Sequence, residues 1–474
     1  MFLNFQCGVI MGLSNDQFLP KLKNEIIKTQ KEKKDVFHGW KILLSDVRSI
    51  QSLMLGDEKL GLVGYQEREV FDHAYSIEIF TRHGNPVMMG NSTCNIDPLS
   101  PLNDQILKTL NNALTVNNQL WDLPKIENEK VKDIITYDPA LKNNMAAAHQ
   151  KLIQEASFKV KSLQGVKVNS AELYTNNRST YFETSTGLIG EQDRTDVYFE
   201  IAMEKLPLPN TQEVHLIKSA IGIEDMNISR FIDEALEQTL SLNDAILPRT
   251  QENAVVLINT EAIARLLDGL LIQMNAYREY YKTPHMLPGQ KVFKGEKLPE
   301  SDILSITIDP TLPIMAASTK FTSEGLCAKA GKVVDNDTVT LQMITHRMGQ
   351  YLGKPHNCIV GNMIVPLGRY AKEELLKAQA ECLEIVSFTS LMVNPSSLSW
   401  SSEIKLGKLY HYGKLKSIIK GGIVSGDLGE NLCHFQFSNN ERKFNKPADD
   451  FSTPRGYSGP DAMLIKTGVK IAGE

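Results

Sequence analysis

The stretch at residues 255–281, VVLINTEAIARLLDGLLIQMNAYREYY, constrains the fold more than any other. Four β-favouring residues, Val255, Val256, Leu257 and Ile258, run into Asn259-Thr260. There Thr260 suits a helix N-cap and Glu261 the first turn. Ile263, Leu266, Leu267, Leu270, Leu271 and Met274 then recur at three- and four-residue spacing, which gives one wide apolar face. The pattern predicts a strand, a tight turn and a buried helix. For that helix to carry chemistry, ionisable or metal-binding side chains would have to share a face, and it offers only Arg265, Asp268 and Gln273.

A chain of 474 residues exceeds what one core can fill, so several domains are expected. Residues 1–120 read as an α+β block. Ser14-Asn15-Asp16 caps a helix over residues 16–33, strands follow at 40–44, 50–55, 76–81 and 86–89, and Ser100-Pro101 opens a helix at 102–114. Residues 121–145 are polar and lack periodicity, which marks a linker. The second block, 146–247, repeats the order with a helix at 146–161, strands at 166–174, 179–184 and 195–204, and a helix at 228–242. Arg48-Ser49 and Arg178-Ser179 fall in register when the blocks are aligned. The third unit, 248–474, is β-rich. Its strands include 303–308, 325–334 and 338–344 with a hairpin at Asp335-Asn336-Asp337, and a short helix lies at 373–382. Further strands fall at 384–392, 402–410, 414–419, 432–438 and 464–472. The predicted class is α+β: two N-terminal helix–sheet blocks, then a C-terminal domain of mostly antiparallel strands forming a twisted sheet or open barrel, with a few helices.

Net charge is −5 and the basic residues are scattered. The one cationic run, residues 28–34, is interrupted by Glu32 and reads as a solvated helix face, so no nucleic-acid partner is expected. No stretch has the apolar length to cross a bilayer, and the opening MFLNFQCGVIMG lacks the basic region of a signal peptide. The six cysteines (Cys7, Cys94, Cys327, Cys358, Cys382, Cys433) lie far apart without a CxxC pair, as reduced thiols do. These features predict a soluble cytoplasmic protein with no membrane partner.

Chemistry is hard to find locally. A zinc hydrolase places two histidines on one helix face with a glutamate beside one of them, but the ten histidines here are isolated, and His346 and His356 read as unrelated. No GxSxG elbow occurs. Gly421-Gly422-Ile423-Val424-Ser425-Gly426 lacks the Lys-Ser/Thr ending of a phosphate loop and reads as a tight bend, and Asn394-Pro395-Ser396-Ser397 reads as a turn.

The segments FTSEGLCAKAGKVVDNDTV (from Phe321), NPSSLSWSSEIKLGKLYHYGK (from Asn394), IKGGIVSGDLGENL (from Ile419) and MLIKTGVKIAGE (from Met463) occur in an order that resembles the TldD/PmbA (TldE) family. The resemblance implies a cytosolic relative of metalloproteases that degrade unfolded peptides, some of them called modulators of DNA gyrase. In the TldD branch a helix bears HExxxH and a C-terminal cysteine completes a metal site. The PmbA/TldE branch lacks these ligands and pairs with a TldD subunit around an enclosed active site. Aligning Leu266-Leu267 with the residues before the first family histidine puts Asp268, Gly269 and Gln273 at the motif positions. No histidine lies between His215 and His285, the segment at residues 452–459 has no cysteine, and Cys433 comes too early. The resemblance thus implies a PmbA/TldE-like subunit with no catalytic residue, metal ligand or cofactor. Its partner would be a TldD-like catalytic subunit in a heterodimer, or itself in a homodimer, with a peptide as substrate. Two alternatives remain: an active peptidase with relocated residues, for which His285, His346, His356 and Cys358 are the first places to look, and a stand-alone homodimeric peptide-binding protein.

Overall fold

The structure is a computed structural model that describes residues 16–127, 130–207, 213–242, 244–448 and 453–474. Cys7, Ser14, Asn15 and Ser452 lie outside the described residues. The first helix, α1 (Phe18–Glu32), starts on Asp16, whose carboxylate accepts from the backbone of Phe18 and Leu19 at 2.8 and 2.9 Å. The strands β1 (Phe37–Asp57), β2 (Gly61–His83) and β3 (Met88–Ile96) follow, then the helices α2 (Leu102–Ala113) and α3 (Pro139–Lys161). After these come β4 (Val166–Thr184), β5 (Ile189–Lys205), β6 (Glu213–Ala220), the short α4 (Ile223–Met226) and α5 (Ile228–Leu242).

The six strands form one antiparallel sheet in the order β3-β2-β1-β4-β5-β6. The sequence predicts breaks inside β1 and β4, and the structure has none. The polar residues that suggest those breaks lie opposite one another at the sheet centre, Arg48 facing Asn177 and Ser49 facing Asn176. With a strand on either side, their main-chain groups are satisfied in the ladder whatever the side-chain polarity. The same pairing joins the strands of both blocks. Helix α3 begins at Pro139, ahead of the expected residue 146, because the Asp138 carboxylate accepts from Ala140 and Leu141. A non-helical Asn144 kinks it where the expected helix would start.

Apolar faces fix the layers. Leu22 and Ile26 of α1 and Ile106 of α2 pack with Ile42 and Ile77, while α3 and α5 bring Leu152 and Phe231 onto Leu173 and Phe199. On the buried face of α3 sits His149, fully buried, with Nε2 2.8 Å from the Ser52 hydroxyl and Nδ1 3.0 Å from that of Thr175. Burial pulls its pKa from 6.5 down to about 4. Between those values the unfolded chain binds the proton and the folded chain does not, so stability present above pH 6.5 is lost as pH falls toward 4. Melting temperatures measured across this window should therefore fall less steeply for His149→Gln than for the native chain.

From residue 256 the chain builds β7 (Val256–Asn259) and α6 (Thr260–Gln273) and then two more sheets. One joins strands at 338–339, 331–335, 306–309, 362–364, 455–460 and 441–446, in that order. The other is centred on β7 and the strands at 382–388 and 399–411. Most neighbours are antiparallel, as predicted. Two pairs are parallel: β7 with 382–388, and 362–364 with 455–460. The hairpin at Asn336-Asp337 forms with both residues at positive φ, and Gly421-Gly422 makes the expected tight bend, also at positive φ. A single core takes in α6 (Ile263, Leu266, Leu267, Leu270) together with Ile306 and Val333 of one sheet and Ile385 and Val424 of the other. Each such side chain contributes about 1.5–3 kcal/mol on burial, so α6 is the central pillar of this half.

Among the described residues, no helix is long and apolar enough to cross a membrane.

Candidate functional site

Asn259, one residue before the expected Thr260, caps α6. Its side-chain oxygen accepts from Ala262 N at 3.0 Å, and its amide nitrogen donates to the Val386 carbonyl at 2.8 Å. That second bond ties the start of the helix to the neighbouring strand. Within α6, Glu261 and Arg265 pair one turn apart at 2.7 Å on the exposed side.

The three positions singled out in the sequence lie on this helix and face protein groups. Asp268 forms an ion pair with Nε of Arg455, at the start of the strand Arg455–Pro460. Both side chains are largely covered, 21% and 29% exposed. Burial, then repulsion from Arg265, draws the Arg455 guanidinium below its ordinary range; it stays a cation at neutral pH. Gly269 is the point of closest approach between α6 and the strand Met392–Val393, since a Cβ placed there would lie 2.5 Å from Cγ1 of Val393. Gln273 is buried and its amide donates to the carbonyls of Pro395 and Ser396 at 2.8 and 3.2 Å.

Arg278, which the sequence reading did not single out, holds the same turn. Its guanidinium donates to the Ser396 hydroxyl at 2.9 Å and to the Pro284 carbonyl at 2.6 Å. Asn394 closes the turn by accepting from Ser396 N at 2.8 Å. Leu398 ends it at a φ of 66°, in the left-handed region that favours glycine. Its side chain is 1% exposed within the core, which offsets the strain of that backbone. The turn expected from Asn394-Pro395 is therefore a segment clamped onto α6.

These groups do not fit the metal ion that the resemblance associates with this helix. The Asp268 carboxylate already faces a guanidinium, which would repel a divalent cation. Gln273 presents its amide to main-chain carbonyls, and position 269 has no side chain and no room for one. Divalent zinc requires three or four converging N, S or carboxylate donors.

The alternative residues are partly brought together. The rings of His346 and His356, read from sequence as unrelated, lie 4.9 Å apart at 67°. His356 Nε2 is 3.0 Å from Glu127, and His346 Nε2 is 2.9 Å from the Asp122 carbonyl, so the pair fastens the 121–127 segment to the C-terminal half. His285 is elsewhere, with Nδ1 2.8 Å from the Thr283 carbonyl. Cys358 packs among Leu188 and Leu326. Cys433 donates to the Lys294 carbonyl at 2.8 Å, and burial pushes its thiol up. Among the described residues, no three His, Cys, Asp or Glu side chains gather as a metal site.

Residues 251–473 match the PmbA/TldA metallopeptidase C-terminal domain. No curated protein matches the chain. Three solved structures share the fold. A candidate modulator of DNA gyrase from Bacteroides thetaiotaomicron aligns with a TM-score of 0.77 at 15% identity, covering 97% of this chain and 100% of that one. TldE from Thermococcus kodakarensis aligns at 0.74 and 13% identity, covering 95% and 100%. A candidate modulator of a DNA gyrase from Thermotoga maritima aligns at 0.72 and 16% identity, covering 96% and 99%. Residues 251–473 thus carry the PmbA/TldA metallopeptidase C-terminal domain, the whole chain shares the fold of these three structures, and both findings support the resemblance to the TldD/PmbA family.

Proposed function

We propose that the chain is a non-catalytic, PmbA/TldE-like subunit of a TldD/TldE-type metallopeptidase complex acting on unfolded or extended peptides. The observation that carries this reading is the Asp268–Arg455 ion pair, at the residue that the resemblance aligns with the first metal ligand. The bonds from Gln273 to Pro395 and Ser396 support it by committing the other motif position to the frame. In this role the C-terminal half supplies a dimer interface to a catalytic TldD-like subunit, and the N-terminal sheet walls the chamber that receives the peptide. We place the complex in the cytoplasm, away from nucleic acid and membrane. The wide spacing of the cysteines without a CxxC pair and the net charge of −5 support that placement.

Peptide cleavage should be measured for the purified chain alone and after mixing with an HExxxH-bearing TldD-type subunit. The expected result is no turnover alone and a rise in the partner's turnover on mixing. The clustering of His346 and His356 favours the second reading, an active peptidase with relocated residues. Turnover by the chain alone that disappears in His356→Ala would establish that reading in place of ours.

A further inference from the structure

The N-terminal sheet ends on an open edge. β2 pairs with β1 along its length, but β3 covers only residues 75–83, so residues 64–74 face no strand among the described residues. Every residue from 63 to 74 is exposed, with Tyr65 at 74% and Phe71 at 68%. Folded proteins usually shorten, bulge away or cover such an edge, or place proline in it. This one is long and contains no proline.

Its charges are arranged in a self-complementary order. Arg68, Val70 and Asp72 alternate onto one face of the strand. When a second copy of the same strand is laid antiparallel about a two-fold axis at Val70, Arg68 falls opposite Asp72 of the second copy, and the symmetry makes the contact twice. On the other face Glu67 falls opposite His73 of the second copy. The two Phe71 rings become diagonal neighbours, within the reach of aromatic side chains. Moving the register by two residues one way sets Glu69 against its own symmetry mate. Moving it the other way leaves Arg68 opposite Ala74. Directly opposed like charges destabilise a strand pair and opposite charges favour it, so the register that pairs Arg68 with Asp72 twice is preferred. Arg68 gives its Nε to Gln51 at 2.6 Å and keeps its terminal nitrogens for a carboxylate, while Asp72 makes no ion pair with any described residue.

We propose that residues 66–74 of β2 form a two-fold edge-to-edge interface with a second copy of this chain, joining the two six-stranded sheets into one. Such an isologous contact closes on itself, because the same stretch of β2 is used by both copies. It uses the N-terminal sheet and is independent of whether a catalytic subunit docks on the C-terminal half.

Light scattering on the full-length chain tests it. The native protein should associate, and Asp72→Arg should weaken that association about tenfold or more, halving the mass at concentrations on the order of 10 µM. The swap Arg68→Asp/Asp72→Arg should restore it, which separates loss of pairing from loss of folding. Val70→Pro, checked for an unchanged melting temperature, should also give the smaller species. A native chain that stays monomeric, or an assembly indifferent to Asp72→Arg, would overturn the proposal. So would an Asp72→Arg defect seen only in a complex with a TldD-type subunit, since the edge would then belong to that subunit.

Discussion

Arg455→Ala is expected to cost about 2–4 kcal/mol of folding stability, read as a lowered urea midpoint at unchanged slope. The substitution leaves the Asp268 carboxylate, 21% exposed, without its counter-charge between α6 and the strand Arg455–Pro460. Truncating one partner of a covered ion pair is costly because the remaining charge stays desolvated, even where the pair itself adds little to stability. The double variant Asp268→Ala/Arg455→Ala should therefore be more stable than Arg455→Ala alone, with a coupling above about 1 kcal/mol in the full cycle. A loss below about 0.5 kcal/mol for Arg455→Ala, typical of a surface change, would mean that the pair is not what holds the strand to the helix.

Gly269→Glu, which puts a glutamate at the residue that the resemblance aligns with the glutamate of HExxxH, should destabilise the fold by about 3 kcal/mol or more. A Cβ at 269 already meets the Val393 methyl at 2.5 Å, and valine has little rotamer freedom with which to retreat. A full glutamate would add a charge to that contact without a partner. Gly269→Ala should be much milder, because about 1 kcal/mol of helix propensity offsets part of the overpacking. Pairing Gly269→Glu with Val393→Ala should recover a good part of the loss. Gly269→Glu melting with the native protein would mean that residues 392–393 do not pack closely on α6.

Much of the frame around this site was legible from residues 255–274 alone. Apolar spacing located β7 and α6, and the cap was misplaced by a single position because Asn259 and Thr260 are both good capping residues. The partner of Asp268 was not legible. Arg455 lies in a segment that drew attention in the sequence only for lacking a cysteine, and nothing local links it to a helix so far back in the chain. The clamp on the 394–398 turn was hidden for the same reason, since Gln273 and Arg278 reach it through tertiary packing. In the N-terminal half, the residues between the predicted strands, 45–49 and 175–178, are mostly polar. Those runs are continuous strand because β1 and β4 satisfy each other's main chain. Local composition reports which side chains water would tolerate, and here the neighbouring strand decided the outcome.

The most direct test of the proposed reading, in which Asp268, Gly269 and Gln273 stand at the motif positions and are committed to protein contacts, is metal content. The full-length chain would be dialysed against zinc, freed of excess ion and assayed by mass spectrometry of the metal. Sub-stoichiometric zinc, unchanged in Asp268→Ala and Gln273→Ala, is the predicted result. One zinc per chain that is lost in either variant would contradict it.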